Sequence, residues 1–357
     1  MKKILLLIPL FLLWNCSSDH SDAPIDNPEE ETMYFPPVNG TTWETTTPSD
    51  LNWNENNIPE LLNYLNIKNT KSFMILYNGR IVMEEYLNGH TDTSLWYWAS
   101  AGKTLTATIF GIAKDENYVT LNGKVSDYLG TGWTTETVAQ ENLITCKHLL
   151  TMTSGLGDSL GDDVSPANLH YIADAGTRWA YHNVYVKLQD VVEQATGQNW
   201  STYFNTKLRD KIGMNGFWTQ IGSNSVFYSN TRSMARFGLL ALNQGNWDGI
   251  QIVNSDYFNQ ATSTSQNINL AYGYLWWLNG KSSYHLPQSQ YEFQGSLIPS
   301  APDDMYCALG KDDQKIYVIP SKKLVIIRMG DAADGSNFAL SDFDDVLWQK
   351  INAVITN

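Results

Sequence analysis

The order of the chain's segments predicts an α+β fold. Strand-type runs cluster near the two ends, helix-type runs fill the middle, and a helical stretch closes the sequence. Distant strands must then assemble one antiparallel sheet, flanked by terminal helices. The predicted layout is a sheet domain from residues 33–99 and 231–357 and an inserted, mainly helical domain over 100–230.

Residues 1–15 read Met1-Lys2-Lys3 followed by an apolar run that is too short for a permanent span and suited to an export signal. The run ends at Cys16, preceded by Leu13-Trp14-Asn15, a pattern similar to the cleavage box of bacterial lipoproteins, though Asn15 is larger than the small residue usual there. Lipidation of Cys16 and a lipid-anchored, exported protein, periplasmic or at the cell surface, are the corresponding expectations. Residues 16–32 carry six acidic residues and two prolines with hardly any apolar side chain, the composition of an unstructured tether. The whole chain has 357 residues and a net charge of −14, which leaves no basic surplus for nucleic acid. With 43% hydrophobic residues it has ample material for a large core. Three cysteines are too few for a disulfide scaffold, and Cys146 and Cys307 are open to pairing or to remaining as buried thiols.

In order, residues 58–65 have helical spacing. Residues 72–77 and 80–86 alternate on either side of Asn78-Gly79, the strongest local signal in the chain, and form a β-hairpin. After Ser100, Leu105, Ile109 and Ile112 recur with helical period over 104–114. Further helices are expected at 146–152, at 185–195 ended by Thr196-Gly197, and at 233–243 ended by Gly245. Short β-type runs follow at 305–309, 316–319 and 324–329, and residues 341–354 form the last helix.

One lysine stands three residues after a serine, in Ser100-Ala101-Gly102-Lys103. On a helix such residues share a face, so an amine lies beside a hydroxyl. The helix N-terminus adds positive potential where an oxyanion would form. Desolvation by Trp96, Trp98 and similar neighbours would lower the lysine pKa, letting the neutral amine accept the serine proton. The plain alternative is an N-capping serine followed by an exposed lysine. The chemistry also needs a second proton relay and a polar group for the acyl substituent, which Tyr-x-Asn supplies. That pattern occurs, among other positions, at Tyr64, Tyr86, Tyr181 and Tyr228. Tyr64 and Tyr86 fall on a helix and a strand as packing residues. Tyr181-His182-Asn183 lies in a polar loop ahead of a helix, and Tyr228-Ser229-Asn230 is its rival.

The ordered set Trp98-Ala-Ser100-Ala-Gly-Lys103, His148 to Gly155, Gly176-Thr-Arg-Trp-Ala-Tyr181-His-Asn183 and Met234 to Leu240 resembles the serine β-lactamase-like hydrolases. These include class C β-lactamases, D-alanyl-D-alanine carboxypeptidases and a branch of esterases and amide hydrolases. The resemblance implies the β-lactamase/transpeptidase-like fold, Ser100 as acylated nucleophile, Lys103 as proton acceptor, Tyr181 as relay and Asn183 as substrate contact, with no cofactor. Its third motif carries a cation on a strand lining the site, and here Ala308-Leu309-Gly310 aligns with it. Alanine cannot pair with a substrate carboxylate. Ala308, Gly310 and Lys311 are thus the expected substrate-binding positions, the Lys311 N–H joining that of Ser100 in an oxyanion hole. This departure shifts the expectation from a β-lactamase or carboxypeptidase towards an esterase or amidase acting on a small molecule. A ligand-binding lipoprotein on a hydrolase scaffold is the alternative from another class.

Gly157-Asp158-Ser159-Leu160-Gly161 matches a nucleophile elbow only in letters, because no buried strand precedes it and no helix follows; a loop rimming the cleft is expected. The six histidines have no ligand spacing, so no metal site is predicted. His182 should point away from Tyr181 and hydrogen-bond at the surface. Trp276-Trp277 and the Trp96–Trp98 pair read as core packing that could also line an acyl pocket.

Overall fold

The computed structural model describes residues 32–159, 162–335 and 340–355. The predicted signal, the lipidation site and all of the 16–32 tether except Thr32 lie outside the described residues, as do Leu160 and Gly161. The described residues from Met33 onward pack as one compact unit.

The chain enters helix α1 (Ile58–Ile67) and then the predicted hairpin, β1 (Thr70–Tyr77) and β2 (Arg80–Tyr86). Asn78 and Gly79 both adopt positive φ, +46° and +86°, as a tight hairpin turn matching strand twist requires. A two-residue strand β3 (Trp96–Tyr97) leads through a 3₁₀ turn, Ala99–Gly102, into helix α2 (Lys103–Asp115). Helices α3 (Cys146–Leu150) and α4 (Lys187–Thr196) follow. An unanticipated hairpin comes next, β4 (Phe217–Ile221) and β5 (Asn224–Ser229), and β5 pairs with β3 to give a three-stranded sheet. Its signal was present in two short runs with β-favouring residues, Phe217-Trp218-Thr219 and Val226-Phe227-Tyr228, on either side of Gly222. Helix α5 (Thr231–Leu242) returns the chain to the main sheet, completed by β6 (Trp277–Leu278), β7 (Tyr306–Gly310), β8 (Gln314–Ile319) and β9 (Leu324–Gly330), and helix α6 (Asp342–Val354) ends the fold.

The main sheet has the order β2-β1-β9-β8-β7-β6 with every pair antiparallel. Thus β1 pairs with β9, from Thr70 opposite Gly330 to Tyr77 opposite Leu324, and the α+β expectation holds. Strand β9, Leu-Val-Ile-Ile-Arg-Met-Gly, is buried along its whole length, and its side chains are apolar apart from the hydrogen-bonded Arg328. Helix α5 approaches so closely that a Cβ on Gly238 would sit 2.4 Å from a Val325 methyl. Trp98, Trp276 and Trp277 are all buried in the core. Cys146 and Cys307 are both free and buried, and burial raises both thiols, Cys146 to about 12, so neither is a ready nucleophile. Among the described residues no helix is long and apolar enough to cross a membrane, and no cluster of His, Cys, Asp and Glu could hold a metal ion.

Candidate active site

Ser100 sits in the 3₁₀ turn just ahead of α2, and Lys103 is the first residue of that helix. The turn is entered through Ala99 at φ +47°, an unfavourable conformation for a residue with a Cβ and a cost of about 1–3 kcal/mol borne by the surrounding packing. No sequence signal marks this strain, since alanine has no turn preference.

Lys103 is 1% exposed, and its Nζ donates to Ser100 Oγ at 2.9 Å and to Asn183 Oδ1 at 3.1 Å. Burial lowers its pKa to about 7, against an opposing pull from Asp162. The enclosing rings are tyrosines, which corrects the expectation of tryptophans: Nζ stands 4.2 Å from the Tyr185 ring centre and 4.9 Å from that of Tyr181. Trp98 is instead committed to the core, its indole donating to Ser229 Oγ at 2.8 Å. Near neutral pH a large share of the amines is uncharged, and the same short contact then runs from the Ser100 hydroxyl to Nζ.

Tyr181 and Asn183 come from the segment that ends in the 3₁₀ turn Asn183–Val186 ahead of α4. Tyr181 packs among Trp179, Tyr272 and Trp277, with ring centres 5.5 to 6.1 Å apart. Burial pushes its phenol up to about 12, an effect reduced by hydrogen bonds with Ser100 and Trp277. The Asn183 amide donates to Asp162 Oδ1 at 2.6 Å, which fixes its carbonyl oxygen towards Lys103. Asp162 was not among the sequence candidates; it lies one residue past the false elbow, in the segment expected to rim the cleft.

His182 corrects the expectation of a surface histidine. Its side chain is buried, its Nε2 has no hydrogen-bond partner among the described residues, and burial lowers its pKa to about 4. The extended backbone does turn it away from Tyr181, but that side faces the region of Asp158 and Arg178 rather than water; these two form a 2.7 Å ion pair.

The third motif divides. Gly310, at the end of β7, meets the serine turn edge-on: a Cβ there would lie 2.3 Å from the Trp98 carbonyl oxygen. Only glycine allows this approach. Ala308 is buried in the core at 1% exposure, and its methyl group brings no charge to pair with a substrate carboxylate. Lys311 is exposed and does line it. The following Asp312 and Asp313 both have positive φ, +59° and +60°. Arg328, buried in β9, holds them by donating to their carbonyl oxygens at 2.8 and 3.0 Å.

These elements surround a cavity of about 420 Å³ whose walls include Ser100, Lys103, Asn183, Asp162 and Lys311. The rival Tyr228 also lines it, alongside Tyr97, but Asn230 caps α5, with its carbonyl oxygen accepting from Ser233 N. Tyr64 stacks on Phe343 and Tyr86 donates to Glu84, as expected of packing residues. Ser159 is exposed on a turn with no strand directly before it among the described residues.

The chain is similar to several known proteins. An uncharacterized protein of Alkalihalophilus pseudofirmus is 25% identical, over 74% of this chain and 87% of its own. A structure from Bacillus anthracis, described as a candidate 6-aminohexanoate-dimer hydrolase, superposes with a TM-score of 0.68 at 19% identity, covering 90% of this chain and 89% of its own. A candidate β-lactamase from Bacteroides dorei gives 0.67 at 13% identity, over 85% and 100%. The fold is therefore that of the β-lactamases and penicillin-binding protein homologues. The Beta-lactamase family profile matches residues 70–344, from the first strand of the sheet into the last helix, and the chain belongs to that family of serine hydrolases.

Proposed function

We propose that the protein is a serine hydrolase that cleaves an ester or amide of a small molecule through an acyl-enzyme on Ser100. The observation that carries this reading is the buried Lys103 amine, 2.9 Å from Ser100 Oγ and with its pKa lowered to about 7. Neutral Lys103 accepts the Ser100 proton as Oγ bonds to the substrate carbonyl carbon. We assign the oxyanion to the Ser100 and Lys311 N–H groups, an assignment supported by the close approach of Gly310, the residue before Lys311, to the serine turn. Tyr181 passes a proton to the departing oxygen or nitrogen as the tetrahedral species collapses. Water then attacks the ester, its proton returning through the same groups, and free Ser100 is regenerated. Asn183 orients Lys103 and contacts the acyl group.

The esterase or amidase assignment over β-lactam hydrolysis rests on the neutral third motif, with Ala308 turned into the core. A structural neighbour described as a hydrolase of an amide dimer is in keeping with it. The test is intact-protein mass of residues 32–357 after incubation with a penicillin and, separately, with a 4-nitrophenyl ester, alongside Ser100→Ala. A Ser100-dependent acyl adduct or turnover with the ester and none with penicillin is expected. Stable acylation by penicillin would return the protein to the penicillin-recognising branch, and no Ser100-dependent chemistry with either would favour a ligand-binding role.

We also propose export and lipidation at Cys16, supported by the apolar run ending at that residue. Labelled palmitate should enter the full chain on expression in a bacterium, and Cys16→Ala should abolish it.

A further inference from the structure

The small sheet β4-β5-β3 has two unlike faces. Along β5 burial alternates: Ser225, Phe227 and Ser229 are buried, whereas Asn224, Val226 and Tyr228 are half-buried. Phe227 packs into the core among Trp98, Phe204 and Trp218, with ring centres 5.0 to 5.3 Å apart. The alternate set, Asn224, Val226 and Tyr228, lines the same cavity as Ser100 and Lys103. Directly opposite them on β4 stand Ile221, Thr219 and Phe217, and residues opposite each other on paired strands share a face. On the other side Tyr97 of β3 pairs with Tyr228 and lines the cavity too. The face these residues make is uncharged and mostly carbon. Tyr97, Tyr228 and Phe217 form a row across it, ring centres 6.1 and 5.8 Å apart, and the second pair is nearly parallel at 7°. With its rings in mutual contact, the row offers a continuous apolar surface. Phe217 and Ile221 are each 50% exposed, so carbon that a substrate could cover is left in contact with water.

The cavity's two carboxylates come from loops and are committed to the protein: Asp162 accepts from the Asn183 amide and Asp312 from the Tyr97 hydroxyl. The hairpin stands on the acyl side. Its tip is joined to the Asp162 segment, Ser223 Oγ donating to Asp163 Oδ1 at 2.8 Å, and Asp162 in turn holds Asn183, the group assigned to the acyl substituent. Tyr181, assigned to the leaving group, packs instead against Tyr272 and Trp277. From Tyr228 to Asn224 the strand spans about 13 Å, enough for an acyl chain of about eight carbons. Resting on the hydrolase reading, we propose that the substrate is an ester or amide of an uncharged, linear acid of medium chain length, its acyl chain lying on the Val226 and Ile221 face of the hairpin while its carbonyl carbon is at Ser100.

Chain length is the test. With 4-nitrophenyl acetate, butyrate, hexanoate and octanoate, each below its micellar concentration and corrected for its rate without enzyme, kcat/KM should rise about twofold for each methylene that the wall covers on one side, or about 50-fold from acetate to octanoate. Ile221→Ser combined with Val226→Ser should bring the octanoate-to-acetate ratio below about fivefold, whereas Ile221→Leu, which keeps the carbon surface, should leave the ratio in place. A ratio near one in the unaltered protein, or a ratio that survives the double change, would overturn the proposal. Two isomeric esters fix the side. Ethyl octanoate should be hydrolysed at least about tenfold faster than octyl acetate, and octyl acetate as the equal or better substrate would overturn the acyl placement. A further arm needs no catalysis. In calorimetry on Ser100→Ala, octanamide should bind at least about tenfold more tightly than butanamide, with a negative heat-capacity change. Equal binding would remove the apolar wall even if the esters are hydrolysed, whereas tighter octanamide binding without Ser100-dependent turnover would keep the wall and remove the hydrolase.

Discussion

Gly310 and Trp98 touch through their backbones: a Cβ on the glycine would come within 2.3 Å of the Trp98 carbonyl oxygen and 3.1 Å of the Ala101 amide nitrogen. This approach sets the end of β7 directly against the serine turn. Gly310→Ala must push β7 away from Ser100 and open the gap in which an oxyanion would be held. A fall of about 100-fold or more in kcat/KM for a 4-nitrophenyl ester is expected, with the circular dichroism spectrum retained. Turnover close to that of the unaltered protein would separate the strand edge from the chemistry.

The Lys103 amine sets the pH dependence. Its pKa is lowered by burial to about 7, and a general base works only when unprotonated. Below that pH, kcat/KM should fall about tenfold per unit, and above it should level off. Tyr181, pushed up to about 12, adds no falling limb below about pH 10. Lys103→Ala should cost about 10³-fold or more in turnover while the fold persists. A pH profile flat from 5 to 9 would remove Lys103 from proton transfer.

Tyr181→Phe should distinguish leaving groups. A 4-nitrophenolate leaves without a proton, whereas an amine cannot. The variant should therefore lose much more activity, by about 100-fold, on an amide than on the nitrophenyl ester of the same acid. Equal losses on both would assign the tyrosine to Ser100 activation instead.

Arg328 reaches the site from beneath. It donates to the carbonyl oxygens of Asp312 and Asp313, the two left-handed residues that follow Lys311, and also to those of Lys68 and Asp331. Gln314 Nε2 grips the same turn at the carbonyl oxygens of Lys311 and Asp312. Arg328→Met removes the guanidinium from all four carbonyl oxygens and leaves Gln314 as the remaining side-chain donor to that of Asp312, so stability should drop by about 3 kcal/mol in urea titrations. Gln314→Ala, the milder change, should lower kcat by about tenfold with KM nearly unchanged, because the oxyanion donor is displaced while the ground-state cavity persists. An effect confined to KM would place the turn in substrate binding alone.

Much of this was legible in the residues. The Asn78-Gly79 hairpin, the late strands and the last helix follow from turn chemistry and periodicity, and Ser100 and Lys103 share a face by spacing alone. Asn183 was found through its motif, but its link to Asp162 was not, because a carboxylate beyond an irregular loop carries no positional signal. His182 was misplaced because alternation says which side of the backbone a side chain takes, not whether that side is covered. The β4–β5 hairpin was hidden by a helical reading of the middle of the chain. Ala99 is the least legible of all: its left-handed backbone is imposed by the packing around it.

The pairing of β1 with β9 also orders events in time. About 250 residues separate the partners, and closing so long a loop is slow compared with forming any local helix. Gly310 lies on a strand that joins the sheet only through β8 and β9. A growing chain that ends before residue 330 has Ser100, Lys103 and Tyr181 already made, yet has no platform to set against them. The protein should thus be chemically silent throughout synthesis, becoming competent in a single late step when its last third arrives.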